Sequence, residues 1–357
     1  MASQSTISLV VVFFILSLSN AANADSRFES INKRLDDLEK MRNEVSNKHS
    51  AYPDELYIYG TLRPTVFFRD DGDARTLDVG DALSRIGFRG AIDLTNSMKG
   101  FFEGEWSIDL SDNGDFGKAR KALVGISGKY GTAAIGKQRT PHYLLIAEPV
   151  DIFNHANSPF AYDNVGTFFS NNQVTYQYQQ DGFRLLSSVR VNGDEGDDKS
   201  DMINVGASYA NNHAYFALAY LRNIEPSATD SLGEGDEVTN IAATSSVSFG
   251  DFYLAVAYQN IETETNTDDI DGRTIDISGS MKLPNSYKVK AGVFSYDDGL
   301  DTGSNENRGW NLTLEKQFNS QFRAHIEYLV KDFNESGIDN ISDLTVGLRY
   351  DFERIID

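Results

Sequence analysis

Between Tyr52 and Phe352 polar and apolar residues alternate over one short stretch after another. Phe102, Trp106, Ile108 and Leu110 share one parity, and Glu103, Glu105, Ser107 and Asp109 share the other. Near the end, Leu344, Val346, Leu348, Tyr350 and Phe352 oppose Thr345, Gly347, Arg349 and Asp351. A period of two predicts strands with two unlike faces. Read this way, the chain yields 16 strands: 55–69, 83–94, 98–110, 117–128, 130–139, 171–180, 182–193, 200–211, 213–224, 237–249, 251–263, 271–283, 286–297, 307–318, 321–333 and 342–352. Short connections such as Asn96-Ser97, Asp181-Gly182, Asn211-Asn212, Gly250-Asp251, Pro284-Asn285 and Asn319-Ser320 take turns with longer, acidic ones.

One interval breaks the rhythm. From Thr140 to Asn172 the alternation stops. A loop of that length is uncommon in a compact domain and is usually functional. The expected fold is therefore all-β, a 16-stranded antiparallel barrel with this segment folded into its lumen as a constriction.

Which face meets which solvent is not settled by periodicity. In a soluble barrel the charges would point outward; in a transmembrane barrel they would line water inside. A Lys or Arg on the lipid face at the bilayer midplane costs roughly 2–4 kcal/mol. An even strand count and the alternation of short with long connections fit a transmembrane barrel, whereas a soluble sandwich has no reason to keep that rhythm.

The first residues add to this picture. Ile7 to Leu18 is an apolar run too short to span a bilayer as a helix, and Ala22-Asn23-Ala24 supplies a cleavage site, so 1–24 reads as a signal peptide. A short membrane anchor is the alternative, since no Lys or Arg precedes the apolar run. Residues 25–53 change to helix formers, with Phe28, Ile31, Leu35, Leu38 and Val45 on a three-four spacing in which Arg42 occupies the remaining seam position. That spacing suits a short coiled coil or a lone amphipathic helix. Pro53 ends the helical pattern. The barrel then occupies 54–352, and 353–357 reads as a tail.

Composition narrows the function. The chain has no cysteine, so disulfides hold nothing. Its net charge of −21 argues against nucleic acid, which needs clustered Lys and Arg. Mean hydropathy is −0.39 and no run of about 18–20 apolar residues occurs, which leaves no transmembrane helix. Five scattered histidines (His49, His142, His155, His213, His325) offer no metal pair, and no nucleophile elbow or phosphate-binding loop is present. No enzyme, cofactor or metal is expected. The acidic stretches 193–201 and 233–237 lack calcium-loop spacing and read as solvated charge.

Four stretches carry a resemblance: IYGTLRP (58–64), SRIGFRG (84–90), GKYGTAAIGKQRTP (128–141) and LTVGLRYDF (344–352). Over residues 55 to 352 the chain resembles the general diffusion porins of the Gram-negative outer membrane. The resemblance implies a homotrimer of 16-stranded barrels in contact with lipid and lipopolysaccharide, each narrowed by its third external loop and passing ions and small hydrophilic solutes. The chain departs from the family in two places. Residues continue past Phe352, where relatives stop at the final aromatic. The 25–51 segment is extra and is similar to the periplasmic coiled coils of some sugar-specific porins, so a sugar-selective porin is the alternative. A tether binding peptidoglycan through 25–51 is a third reading.

Such a pore works by its lining charges, which set a transverse field. By strand parity Arg63, Arg85, Arg89 and Arg120 point into the lumen. The resemblance places Arg85 and Arg120 in the family's basic wall, while Thr61 stands where relatives often carry Lys. The long segment offers Glu148, Asp151 and Asp163 as acidic partners, without the family's Glu-Phe-Gly-Gly run. For each arginine the other reading is an internal salt bridge to Glu103, Glu105 or Asp109. Loop aromatics Phe153, Phe160, Tyr162, Phe168 and Phe169 either pack the loop on the wall or form a path for sugars. The acidic balance favours cations at the mouth.

Overall fold

The computed structural model describes residues 56–112, 114–154, 168–191, 201–224, 237–265, 269–297, 299, 306–333 and 340–356. Contacts divide the chain into two units, Met1–Lys48 and His49–Asp357, and everything described belongs to the second. The expected signal peptide and helical segment, together with Asp163, Phe160, Tyr162 and most of the two acidic stretches, lie outside the described residues.

Among the described residues, eighteen strand segments make one closed antiparallel sheet. In chain order they are β1 (Leu56–Leu62), β2 (Pro64–Asp70), β3 (Arg75–Asp81), β4 (Arg85–Thr95), β5 (Met98–Ile108), β6 (Phe116–Gly128), β7 (Gly131–Arg139), β8 (Phe169–Gln180) and β9 (Phe183–Arg190). They continue as β10 (Met202–Ala210), β11 (Ala214–Ile224), β12 (Glu237–Phe249), β13 (Phe252–Glu264), β14 (Asp269–Leu283), β15 (Tyr287–Asp297), β16 (Asn307–Gln317), β17 (Phe322–Phe333) and β18 (Ile341–Ile356). The last segment pairs with both β1 and β2, which closes the barrel. No sheet edge then remains for the bilayer to solvate.

The 18 segments are 16 staves. β1 and β2 form one stave interrupted at Arg63, and β3 and β4 form its neighbour, interrupted at Ala82–Ser84. Pro64 has no N–H to give to a ladder, so pairing lapses there. The gap is bridged differently. Ser84 Oγ accepts from Arg63 N at 2.7 Å, and the Ala82 N–H donates to Arg63 O at 2.9 Å. Leu83 takes a φ of 69° to make the corner. The second stave thus starts at Arg75, eight residues before the point the alternation suggests, because Arg75-Thr-Leu-Asp-Val-Gly-Asp carries few apolar residues. The final stave also runs four residues past Phe352: Leu56 pairs with Ile356 and Tyr59 with Glu353. Residues 353–356, expected as a tail, are wall.

The faces are sorted as a membrane barrel requires. Phe216 and Leu218 on β11, Leu254 and Val256 on β13, and Leu312 and Leu314 on β16 are all exposed. Their alternates Ala217, Ala219, Ala255, Ala257, Thr313 and Glu315 are buried within. A soluble protein would not leave so continuous an apolar surface uncovered. Hairpins at one end are tight. Asp181 and Gly182 both hold positive φ, at 51° and 83°, as a two-residue turn matched to the strand twist needs.

Candidate functional site

The segment after β7 leaves the wall and lies against its inner face. It opens with a π-helical turn, Tyr143–Ala147, whose Tyr143, Leu145, Ile146 and Ala147 are buried. Leu145, Ile146 and Val150 pack on Ala217, Ala219, Ala242, Ala255 and Ala257. Those alanines are the inward alternates of the lipid-facing residues of β11, β12 and β13. Small side chains there leave room for a second layer of chain. The seat is also polar. Tyr215 Oη donates to Leu145 O at 2.9 Å, Thr244 Oγ1 to Ile146 O at 2.8 Å, and Tyr253 Oη to Pro149 O at 2.6 Å. His142 Nε2 meets Gln259 Oε1 at 3.0 Å. Burial holds the His142 imidazole neutral, with its pKa down to about 4.

Further along, Phe153 fills the space over Gly292, where a Cβ would come within 2.7 Å of its ring. Asn154 reaches β16 and β17: its N–H donates to Glu327 Oε2 and its Nδ2 to Glu315 Oε2, both at 3.0 Å. Those carboxylates are almost wholly buried, and Lys290 Nζ sits 3.0 Å from Glu315. From Thr140 to Asn154 the segment therefore crosses from β7 to the far wall.

Its two ends meet at a cationic hub. Thr140 N donates to Phe168 O at 3.2 Å. The Arg139 guanidinium carbon lies 3.9 Å from the Tyr143 ring centre, 5.9 Å from that of Phe168 and 5.0 Å from that of Phe169. Arg120 covers the same Phe169 ring at 4.8 Å. Guanidinium–ring contacts of this kind are worth about 0.5–2 kcal/mol each, more when desolvated.

The arginines singled out by sequence fall into two groups. Arg120 Nε bonds Glu105 Oε1 at 2.8 Å and Arg85 Nε lies 3.6 Å from Glu105 Oε2, so one buried carboxylate serves both. Arg63 donates to Thr61 Oγ1 at 3.2 Å. Arg89 stands apart, nearer the short-turn end, paired with Glu353 at 2.6 Å. Arg120 faces inward as expected, but strand parity, the ground for that expectation, is not what turns it there. Val124 and Ile126 are exposed to the outside, and unbroken alternation would send Arg120 after them. A register shift between Glu105 and Trp106 turns consecutive Arg120 and Lys121 both inward, and Lys121 Nζ meets Glu103 Oε1 at 2.8 Å.

Of the loop acids, Asp151 accepts from Tyr143 Oη at 2.9 Å. Burial raises its carboxyl above the ordinary range, against the pull of the Tyr143 hydroxyl and the Arg139, Arg63 and Arg85 charges. Glu148 is exposed, and the charge near it is Arg184 on β9. Asp151 therefore joins the Arg63–Arg85 group, and Glu148 faces another part of the wall. Sequence parity singled out neither Arg139 nor the pair Arg323 and Arg349, which stand directly opposite on β17 and β18 and share Asp351 at 2.9 Å each. Arg349 was legible as inward-facing; the convergence on Asp351 was not, since it depends on which staves are neighbours.

The Gram-negative porin family model matches residues 7–336. Solved structures share the fold. An anion-selective porin from Comamonas acidovorans is 18% identical, with a TM-score of 0.71 over 83% of this chain and 99% of that one. The OmpF of Salmonella typhi in complex with daunomycin is 16% identical, with a TM-score of 0.68 over 84% and 98%. The trimer form of OmpT, an outer membrane protein of Vibrio cholerae, is 22% identical, with a TM-score of 0.65 over 83% and 99%. Comparison with curated proteins gives no match.

Proposed function

This chain belongs to the Gram-negative porin family, and from that premise we propose an outer-membrane channel in which the segment from Thr140 to Asn154 narrows a water-filled lumen. Ions and small hydrophilic solutes diffuse through what it leaves open. The observation that carries the reading is the course of that segment, held on the inner faces of β11–β13 and tied to Glu315 and Glu327. Arg63, Arg85 and Arg120 with Arg139, Arg323 and Arg349 gather on the side where Asp151 lies, within reach of the Arg139, Arg63 and Arg85 charges, and the resulting field orders water and sorts solutes by charge and dipole. Asp163 and Glu148 add acidic charge to the loop side, and Arg89 belongs to the exit. The acidic balance of the chain makes the channel cation-preferring.

The assembly proposed is a homotrimer, as the trimer form of the Vibrio cholerae protein suggests. It sits among lipid and lipopolysaccharide, with residues 25–51 in the periplasm and available to peptidoglycan. The sugar-selective reading gains nothing from the loop aromatics described: Phe153 is spent on Gly292, and Phe168 and Phe169 on Arg139.

Planar-bilayer recordings under a KCl gradient test the proposal. The expected result is current steps in groups of three, a reversal potential on the cation side, and no block by oligosaccharides. A folded protein that carries no current would sink the channel reading, and block at micromolar sugar would replace it with a sugar-selective pore.

A further inference from the structure

Residues past Phe352 extend β18 and thereby change what faces the lumen at the short-turn mouth. Glu353 pairs with Tyr59 and Ile355 with Tyr57, so Glu353 shares the inward parity of Asp351. Across β1, Tyr57 pairs in turn with Arg89 of β4. The Arg89 Nη2 to Glu353 Oε1 distance is 2.6 Å. The same guanidinium lies 5.4 Å from the Tyr59 ring centre and 5.7 Å from that of Tyr57. Arg89 is four residues from Arg85 along β4, about 13 Å nearer the mouth along the strand.

We propose that Glu353 is a selectivity-determining residue of the channel: it cancels Arg89 at the short-turn mouth, so that cations leaving the narrow zone meet no net positive charge there. The inference rests on the channel reading above.

Three observations support it. The charges beside Arg89 are already matched, because Glu103 takes Lys121 and the Tyr59 hydroxyl, both at 2.8 Å. Among the described residues the carboxylate bonded to Arg89 is therefore Glu353, although Glu103 stands directly opposite it on β5. The two tyrosine rings hold the guanidinium on the wall whether or not Glu353 is ionised, so losing the carboxylate would expose a positioned charge rather than release a mobile one. Finally, the Arg89 and Glu353 side chains are 32% and 47% exposed. A pair so open to water adds little to stability, whereas its field acts on every ion that passes.

The test is the permeability ratio of K⁺ to Cl⁻ in bilayers, for the full chain and three variants. Glu353→Gln keeps size and backbone pairing while removing the charge. A unit charge about 10 Å from the ion path in water lowers the local concentration of one ion and raises that of the other about two-fold each, so the ratio in Glu353→Gln should fall by up to about four-fold in dilute salt. Arg89→Gln should raise it by a similar factor, and the double variant should return it to the parent value. A Glu353→Gln channel that folds, conducts and keeps the parent ratio overturns the proposal. If that variant does not fold, Arg89→Gln decides, and an unchanged ratio there overturns it equally. Absence of current in the parent protein would instead remove the channel reading itself.

Discussion

His142 is buried at the start of the inserted segment, with Nε2 on Gln259 and Nδ1 without a hydrogen-bond partner among the described residues. Gln259 Oε1 also accepts from Asn240 Nδ2 at 2.9 Å, so the imidazole proton belongs on Nε2. A cation has no place here. Because burial depresses the folded pKa to about 4 from 6.5, the released segment binds a proton before the seated one does. The seat is therefore fully stabilised above pH 6.5 and weakens progressively as pH falls toward about 4. Single-channel recordings at falling pH should show rising open-channel noise over that interval. His142→Gln, which can still bond Gln259 but cannot titrate, should remain quiet over the same interval. Equal noise in both proteins would place the acid sensitivity elsewhere. None of this could be read from the sequence, where His142 is one histidine of five and its partner lies 117 positions away.

At the scale of the element, the strands were legible and their irregularities were not. A repeat of two residues announces each stave by itself, because lipid and water sort the side chains locally. The lapse at Arg63 depends on Pro64 and on Ser84 of the next stave, the inward turn of Arg120 on a bulge shared with β5, and the extension of β18 on finding Leu56–Tyr59 as its partner. Each is a property of a pair of strands. The inserted segment shows the same limit. Its existence follows from the break in alternation, but its path follows from alanines on β11–β13 and from glycines at Gly206 and Gly292. A Cβ on Gly292 would stand 2.7 Å from the Phe153 ring, and one on Gly206 would stand 2.6 Å from Leu145 Cδ1. Overpacking of this kind costs typically about 1–3 kcal/mol, enough to move a segment held by a few hydrogen bonds. Gly292→Ala should thus alter single-channel conductance by displacing Phe153 toward the lumen, while barrel melting changes little. A variant that melts earlier at unaltered conductance would mean that Gly292 serves the wall alone.

For the whole molecule, the charge of −21 and the arginines of the lumen pull in opposite directions. Residues 25–51 hold six acidic and six basic side chains, so the excess belongs to the barrel part of the chain. Within the described lumen most charges are paired at short range: Arg85 and Arg120 with Glu105, Lys121 with Glu103, Lys290 with Glu315, Arg323 and Arg349 with Asp351. Paired charges cancel beyond a few ångströms and keep their local field at any salt concentration. The surplus acid acts over a longer range, and salt screens that range: the Debye length is about 10 Å at 0.1 M and about 3 Å at 1 M. If the surplus sets the cation preference, the K⁺ to Cl⁻ permeability ratio should be highest in dilute KCl and decline toward unity at about 1 M. Reversal potentials at a fixed gradient ratio over that span measure it directly. A ratio that stays constant with salt would assign selectivity to the paired wall, and an anion preference emerging at high salt would show that Arg63, Arg139 and their neighbours prevail once the outer field is screened.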